Sequence, residues 1–429
     1  MHSEETGDRV TAAASRRGRP NEHTRFDVAR VRADFPTLAR EVRGQPLIYL
    51  DSAASAQTPT VVLEAMDHFY RHEYANVHRG IHFLSQKATD AYEAARARIA
   101  RWFNARSEQE VVLTKGTTDS INLVAASYGR EQLRAGDEVL ITEMEHHSNI
   151  VPWQLICKQT GARLRVAPIY DNGELDLQRT LELIGPRTKI VAIAHVSNTL
   201  GTINPVKAVI EAAHNHQAVV LLDGAQAAPH LRIDLQQLDC DFYAVSAHKL
   251  FGPTGIGMLY GKSELLEKMP PYQGGGDMII KVTFEETSYN VPPQRFEAGT
   301  PNIAGAIGFG AAIAYLETLD LSAALAHEDY LLAKASEALE SMPGIRILGT
   351  AKDKVGVLSF VDELAHAHDI GTLLDAAGIA IRTGHHCTQP LMARLGVDST
   401  ARASLAFYNT EDEIDRFVEE LDKAREMFR

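Results

Sequence analysis

Near-continuous apolar runs, each followed by a stretch with helical spacing, are the strongest constraint on how this 429-residue chain folds. The runs are EVVLT (110–114), EVLIT (138–142), KIVAIAHVS (189–197), AVVLLD (218–223), DFYAVS (241–246) and GIGMLYG (255–261). Strands this apolar are buried on both faces, as in a mostly parallel sheet that is covered by helices. The alternation therefore predicts a doubly wound α/β domain.

The pattern changes after Leu319. A long helical stretch leads to shorter strands, and a charged amphipathic helix runs from about Glu411 to Phe428. The three strands are IRILG (345–349), KVGVLSFV (354–361) and ARASLAFY (401–408). We therefore predict a large domain over 26–318, whose N-terminal segment packs on the small domain, and a smaller α+β domain over 319–429.

Two further segments stand apart from this alternation. Residues 271–302 are rich in Gly, Pro and polar residues, which predicts a long functional loop or hairpin. Residues 1–25 mix acidic and basic side chains, and they lack the apolar core of a secretory signal. We predict that residues 1–25 form a disordered extension.

Charge and cysteine content narrow the class of protein. Acidic residues outnumber basic ones by 56 to 43, and the formal net charge of −13 argues against a nucleic-acid partner. No apolar run reaches the roughly 18 residues of a membrane span. Cys157, Cys240 and Cys387 are too few and too scattered for a disulfide framework, which favours a reducing, cytoplasmic compartment.

Polar residues cluster after the predicted strands, where open α/β sheets bind their ligands. They are Gly116, Thr117, Thr118, His146, Asp223, Gln226, Ser246, His248 and Lys249. Pyridoxal phosphate requires a lysine for its Schiff base and a carboxylate that keeps its pyridine nitrogen protonated. Its phosphate suits the hydroxyls and free amides of a helix start, and a histidine can stack on the ring. The residues therefore predict a pyridoxal-phosphate site.

Each of these residues also has an ordinary structural explanation. An Asp after a strand is often a helix cap, a Lys there is usually solvated, and Thr117 alone is adequately explained by helix capping. The combination is harder to explain in this way, because the Lys of SAHKLFGPTGIG comes one strand after the Asp of LLDGAQ. Glycines beside that lysine provide the tight backbone of a buried cofactor site.

With these residues assembled, the chain resembles the fold-type I pyridoxal-phosphate enzymes of the class V aminotransferase group. Within that group it is most similar to the group II cysteine desulfurases, the SufS type, from about residue 26 to the C-terminus. The motifs that carry the resemblance are YLDSAASAQTP, NVHRGIHFLS, KGTTDSINLV, EMEHHSNIVPWQ, HVSNTLGT, DGAQA, SAHKLFGPTGIGMLYG, RFEAGTPN, IRTGHHC and RASLAFYNT. One departure is Ala247 in SAHK, where relatives usually have Gly.

The resemblance implies a role for each matching residue. Lys249 holds the cofactor, Asp223 pairs with the pyridine nitrogen, Gln226 contacts the phenolic oxygen, and His146 stacks on the ring and assists proton transfer. The resemblance places Thr118, Ser246 and His248 on the phosphate, joined by Thr300 from the other subunit of a homodimer. Substrate contacts are expected from Asn198 and Arg402, which would bind the carboxylate, and from His78, Arg79 and Arg382.

Cys387 is the expected nucleophile. It follows Arg382, His385 and His386, and cationic neighbours lower the pKa of a thiol. A buried structural cysteine and a His-His-Cys metal ligand set are the alternatives, and the second is weak because no other Cys/His pair has zinc spacing. We predict no resident metal. Cys157 and Cys240 lie in apolar helix and strand patterns, so both are expected to be structural.

The expected reaction converts L-cysteine to L-alanine and leaves a persulfide on Cys387, for iron-sulfur cluster assembly. L-cysteine would displace Lys249 from the cofactor, and the freed Lys249 would then remove the α-proton of the substrate. His368, in HAHDI, occupies the place where desulfurases served by a zinc-bound SufU acceptor carry a zinc-binding histidine, although a surface histidine explains it equally well. A SufU-like acceptor is preferred over a SufE-like one. Selenocysteine lyase, cysteine-sulfinate desulfinase and a non-catalytic scaffold are the alternatives.

Overall fold

The computed structural model describes residues 26–429. The predicted disordered extension over 1–25 lies outside the described residues. The strands are β1 Glu41–Val42, β2 Gln45–Pro46, β3 Ile48–Tyr49, β4 Val111–Thr114, β5 Glu138–Thr142, β6 Arg163–Ala167, β7 Thr188–Ala194, β8 Val219–Asp223, β9 Phe242–Ser246, β10 Gly257–Gly261, β11 Ile279–Val282, β12 Thr287–Tyr289, β13 Ile345–Leu348, β14 Val357–Asp362, β15 Ile379–Ala380, β16 Arg382–Gly384 and β17 Thr400–Ser404.

Helices separate these strands along most of the chain. They are α1 Val28–Ala33, α2 Thr60–His68, α3 Phe83–Trp102, α4 Thr117–Val124, α5 Arg130–Gln132, α6 Val151–Thr160, α7 Leu177–Leu183, α8 Val206–Asn215, α9 Leu235–Leu238, α10 Ser263–Leu266, α11 Ile303–Glu317, α12 Leu321–Glu340, α13 Ala367–Ala376, α14 Gln389–Arg394 and α15 Glu411–Glu426.

The large sheet has seven strands in the order β4-β10-β9-β8-β7-β5-β6. Strands β5 to β9 pair in parallel, and β10 runs antiparallel to both β9 and β4. Val220 and Leu222 belong to one core cluster, whereas Val219 and Leu221 belong to the cluster on the opposite face. The predicted α/β class and the burial of both faces are confirmed. Edge strand β6 was not predicted, because its two arginines interrupt the apolar pattern.

A second sheet is antiparallel, with the order β13-β14-β17-β16. Helix α15 packs close to this sheet and begins with a capping box, in which the Thr410 side chain accepts from the Glu413 amide and the Glu413 carboxylate accepts in return. The N-terminal segment reaches the same region, because β3 pairs in parallel with β15 and Arg32 forms an ion pair with Glu413 at 2.7 Å. The division into domains at residue 318 stays a prediction.

Residues 271–302 contain the exposed hairpin of β11 and β12. The apolar helix α11 that follows is mostly buried, and two of its glycines lie against neighbouring helices: a Cβ on Gly308 would come within 2.8 Å of Met66, and one on Gly310 within 2.8 Å of Ala95. Between residues 26 and 429, no single helix is long and apolar enough to cross a membrane; α11 and α12 pass that test only together, with a bend of 87° between them.

Candidate active site

The ends of β7, β8 and β9 open into a cavity of about 250 Å³. This is the edge of the sheet at which parallel α/β folds bind ligands. Twelve of the predicted site residues line the cavity: Thr117, Thr118, His146, Asn198, Asp223, Gln226, Ser246, His248, Lys249, Arg382, Cys387 and Arg402. Groups from distant parts of the chain therefore converge on one space.

Asp223 and Lys249 provide the acid and amine of this cavity. Asp223 ends β8 with 6% of its surface exposed, and its Oδ1 accepts a hydrogen bond from the Ala225 amide at 3.0 Å. Burial raises the pKa of its carboxyl, opposed by the Ala225 amide and by the charge of Lys249. Burial lowers the pKa of Lys249 to about 8, although Asp223 opposes this shift. Near neutral pH, an appreciable fraction of the amine is therefore uncharged and nucleophilic.

An anion-binding turn lies beside the lysine. Helix α4 begins at Thr117 directly after Gly116, whose φ of 140° favours glycine. The Thr117 amide donates to the Ser246 hydroxyl at 2.9 Å, and that hydroxyl donates to Thr117 Oγ1 at 2.9 Å. The turn thus combines hydroxyls with the positive end of a helix, as a phosphate group requires.

The imidazole of His146 has a defined hydrogen-bond arrangement. The Ser148 amide donates to its Nδ1 at 3.1 Å, and the Ser148 hydroxyl lies 2.7 Å from the same atom. Burial, followed by the charge of Lys249, lowers the pKa of His146 to about 3. The ring is therefore neutral, and because Nδ1 accepts a hydrogen bond its proton is on Nε2.

Asp51 joins the two arginines of the site and was not predicted as a site residue. Its carboxylate accepts from Arg402 Nη2 at 3.1 Å and from Arg382 Nη2 at 3.0 Å. Arg402 is 2% exposed, and burial lowers its pKa to about 10 while Asp51 opposes the shift. The motif YLDSAAS contained Asp51, but only its long-range contacts reveal that it orients the arginines.

The loop that carries Cys387 has an unusual backbone. His386 and Cys387 have φ values of 50° and 58°, a region that disfavours residues with a Cβ. Long-range hydrogen bonds hold the loop: Asn198 Nδ2 donates to the His386 carbonyl at 2.9 Å, and the His147 amide donates to the Cys387 carbonyl at 2.8 Å. Cys387 itself is exposed.

One prediction about this loop is wrong. His386 was expected to be a cationic neighbour of Cys387, but it is buried, and burial followed by the charge of Arg402 lowers its pKa to about 3. A neutral imidazole cannot stabilise a thiolate by charge. The cationic groups that interact electrostatically with Cys387 are Lys249, Arg382 and Arg402.

Four predicted residues do not line the cavity. Thr300 is exposed in the loop before α11, and His368 is exposed in the first turn of α13. His78 pairs with Glu93 at 2.7 Å, and Arg79 pairs with Asp277 at 2.7 Å. Their expected roles stay predictions. Cys157 is buried on α6, and Cys240 is buried just before β9 rather than within a strand.

The cavity fits pyridoxal phosphate by the chemistry of its groups. It offers an amine, a buried carboxylate and a turn suited to phosphate. Three buried polar atoms of its lining residues have no hydrogen-bond partner within residues 26–429: Gln226 Oε1, His386 Nδ1 and Arg402 Nε. Ala247 fits beside Lys249 with its φ outside the left-handed region, so the departure from Gly requires no strained backbone. The described residues contain no group of three or more His, Cys, Asp or Glu arranged to hold a metal ion.

Known proteins are similar to this chain in sequence. The model of the family Aminotransferase class-V matches residues 48–417. The chain is 54% identical over 400 residues to a cysteine desulfurase of Dickeya dadantii, covering 93% of this chain and 96% of that relative. It is 52% identical to one of Synechococcus elongatus, covering 91% of this chain but only 62% of the longer relative.

Solved structures agree with the family match. The structure of the cysteine desulfurase CsdA (S-sulfonic acid) from Escherichia coli superposes with a TM-score of 0.88 at 43% identity, over 95% of this chain and all of that one. The apo structure of a cysteine desulfurase from Thermococcus onnurineus gives a TM-score of 0.88 at 38% identity, over 94% of this chain and 98% of that one.

Proposed function

The chain belongs to the aminotransferase class V family, and from that premise we propose that it is a cysteine desulfurase that converts L-cysteine to L-alanine. It is an enzyme that depends on pyridoxal phosphate, and the predicted fold, fold type I of such enzymes, is confirmed. One observation carries the proposal: an exposed thiol at Cys387 lines the same cavity as the amine of Lys249 and the guanidinium of Arg402.

Binding begins, in this proposal, with the two arginines. Arg402 Nη1 is held by the Asn198 carbonyl at 2.9 Å and Nη2 by Asp51, which leaves its unpartnered Nε for an incoming carboxylate. A contact to a buried guanidinium fixes the substrate and thereby orients its α-hydrogen. Asn198 connects this arginine to the Cys387 loop, because its side chain also donates to the His386 carbonyl.

Proton transfer falls to Lys249 and His146. The pyridine ring of pyridoxal phosphate supplies an electron sink, and Asp223 keeps its nitrogen protonated. Lys249, with its lowered pKa, takes the α-proton as a general base. His146 carries a proton on Nε2 that it can donate within the cavity.

The sulfur step uses Cys387 alone. Its thiolate attacks the substrate sulfur, so an S–S bond forms as the C–S bond breaks, and the electron pair of that C–S bond remains with the three-carbon fragment. The fragment takes up one proton at its β-carbon, regains the α-proton from Lys249, and leaves as L-alanine. The transferred sulfur remains on Cys387 as a persulfide.

We extend the proposal to a SufS-type enzyme that supplies sulfur for iron-sulfur cluster assembly in the cytoplasm. It would act as a homodimer, with Thr300 reaching the phosphate of the other subunit; its exposure outside the chain's own cavity fits that role. His368 is exposed where an acceptor can approach it, which supports a SufU-like acceptor over a SufE-like one. His78, Arg79 and Arg382 would contribute to substrate binding.

Replacement of the thiol tests the proposal. Cys387→Ala should keep the visible absorption band of the cofactor and its response to L-cysteine, but persulfide formation should fall below detection. Normal persulfide yield from Cys387→Ala would exclude the nucleophile assignment.

His368→Ala should slow sulfur transfer to a zinc-bound SufU acceptor while basal alanine formation is unchanged. Alanine from selenocysteine but not from cysteine, with wild-type protein, would favour a selenocysteine lyase instead.

A further inference from the structure

The turn that presents Cys387 has a conformation that its own sequence disfavours. The Thr388 amide donates to the His385 carbonyl at 2.8 Å and thereby closes a turn of four residues. The two central residues, His386 and Cys387, both have positive φ, which is the φ pattern of a type I′ turn. Pairs such as Asn-Gly, Asp-Gly or Gly-Gly are usual at those two positions, and His-Cys is not. Contacts from outside the turn must therefore stabilise it.

A pair of buried hydroxyl groups provides such a contact. Thr388 Oγ1 lies 2.8 Å from Thr199 Oγ1, and it donates to the His385 carbonyl at 2.9 Å. Both threonines are completely buried. A hydroxyl group has a single proton, and Thr388 uses its proton on a carbonyl that can only accept, so Thr199 must be the donor to Thr388. The hydrogen bonds thus run from Thr199 through Thr388 to the carbonyl that closes the turn.

The position of Thr388 in the chain usually gives a threonine another partner. Thr388 is the N-cap residue of α14, where a threonine side chain commonly accepts a hydrogen bond from an amide in the first turn of the helix. Within residues 26–429, the Thr388 side chain caps no amide of that helix. Its hydroxyl instead bonds to the turn before the helix. The arrangement favours a role for Thr388 in the Cys387 loop rather than in α14.

Thr199 is held in place from behind. It lies between β7 and α8, and its carbonyl accepts from the Ser359 hydroxyl of β14 at 2.6 Å. Ser359 is completely buried as well. Thr199 therefore connects the Cys387 loop to a point that is supported by the small sheet. Among the described residues, neither Thr199 nor Thr388 lines the cavity, so either side chain can be replaced without removal of a group that faces it.

We propose that Thr199 and Thr388 are positioning residues that hold the Cys387 loop in its left-handed turn, with the thiol in the cavity. A buried hydroxyl that loses its partner is costly, so the pair favours this turn over the negative φ values that His and Cys ordinarily adopt. The proposal rests on the proposed function for the chemical step that the thiol performs, and it adds two residues that act through Cys387 without contact to the cavity.

Hydrogen exchange measures the turn without any measurement of activity. Thr199→Val removes the donor and keeps a side chain of similar shape. The Thr388 amide takes part in the closing hydrogen bond, so its exchange reports how often the turn opens. We expect peptides that contain residues 385–389 of the cofactor-loaded protein, without substrate, to exchange about 10-fold faster in Thr199→Val, the factor that corresponds to the loss of one hydrogen bond.

Kinetics with L-cysteine separate positioning of the thiol from substrate binding. Thr199→Val should slow single-turnover persulfide formation by about 10-fold, because the thiol spends less time in position. The L-cysteine concentration that gives half of the change in the cofactor band should stay the same, since Arg402 and the cofactor contacts are intact. Thr388→Ser retains the hydroxyl and should be close to wild type. Thr388→Val should be at least as slow as Thr199→Val, and the double variant should be little slower than Thr388→Val.

Thr180→Val is the matched control. Thr180 is also completely buried, and its hydroxyl donates to the Asp176 carbonyl at 2.7 Å in α7, outside the cavity. The substitution therefore removes a buried threonine hydroxyl of the same kind at a distant place. It should lower thermal stability but leave both the exchange of residues 385–389 and the rate of persulfide formation unchanged.

The outcomes are distinct. Unchanged exchange in Thr199→Val, or an equal increase in Thr180→Val, would overturn the proposal. If Thr199→Val does not fold, Thr388→Val decides by the same exchange measurement, and an unaltered rate there would refute the idea. Wild-type protein that shows the cofactor band but makes no alanine from L-cysteine would refute the proposed function, while hydrogen exchange would still test the two positioning residues.

Discussion

The wall of the cavity formed by the large sheet and the wall formed by residues 382–402 hold their reactive groups in opposite ways. Asp223 and Lys249 follow buried strands and experience strong burial, which shifts the pKa values of both. Cys387 is exposed, on a loop with two consecutive residues of positive φ. The wall formed by the large sheet, which we call the fixed wall, holds buried groups whose pKa values are shifted. The wall formed by residues 382–402 instead exposes its thiol to solvent. Such a division suits an enzyme that activates a substrate at one point and carries sulfur away from it.

The largest expected effect concerns the fixed wall. Asp223→Asn preserves the shape of the side chain and an oxygen for the Ala225 amide, but it removes the negative charge. We expect kcat for alanine formation to fall by about 100-fold or more, because the ring nitrogen is no longer kept protonated. Lys249 is intact, so the visible band should persist.

Steady-state kinetics with L-cysteine, together with the absorption spectrum, measure this effect. Asp241→Asn, which removes a carboxylate directly before β9 and outside the cavity, serves as the control. A variant with nearly normal kcat would show that the charge at position 223 is not required, and the contrast between the walls would lose its electrostatic basis.

An intermediate effect is expected where the two walls touch. The Gln389 amide donates to His147 Nε2 at 3.0 Å, and the His147 amide donates to the Cys387 carbonyl. His147→Ala should slow persulfide formation by about 10-fold through misplacement of the thiol, without altering the cofactor band. His147→Gln, which retains an acceptor, is the matched control and should be closer to wild type.

The pH dependence of this contact has a defined sign. Burial lowers the pKa of His147 below its ordinary value, so the ring is neutral at neutral pH and Nε2 can accept. As the pH falls through that lowered value, the ring gains a proton and the acceptor is lost. Single-turnover persulfide formation should therefore show an acidic decline that is absent in His147→Gln. An identical profile in both proteins would contradict the role of His147.

The smallest effect concerns backbone strain in the loop that carries Cys387. The φ of 58° at position 387 is favourable for glycine and unfavourable for alanine. Cys387→Gly should be more stable to unfolding than Cys387→Ala by about 0.5–1 kcal/mol. Ala393→Gly, an exposed position in α14, should instead be destabilising. Denaturant unfolding of the cofactor-loaded proteins measures both, and a Gly variant less stable than the Ala variant would show that the loop is unstrained.

The sequence anticipated most of the fixed wall. Apolar strands that end in AVVLLD and DFYAVS place Asp223 and Lys249 at the same edge of any parallel sheet, so their proximity follows from local pattern and topology. Strands with a mixed pattern were harder to recognise: β6 alternates arginine with apolar residues, and β16 has only three residues. Their pairing depends on neighbours that are distant in the chain.

The types of residue, their spacing and the periodicity of the strands thus determined the fold class and the kinds of chemical group that line the cavity. Tertiary structure alone decided how those groups act on one another. Asp51 orients Arg382 and Arg402 across 331 and 351 positions of sequence, and no local pattern encodes that contact. The same applies to His386, which looks like a cation in sequence but is neutral because it is buried. Charge depends on solvation, and solvation is known only once the chain is folded.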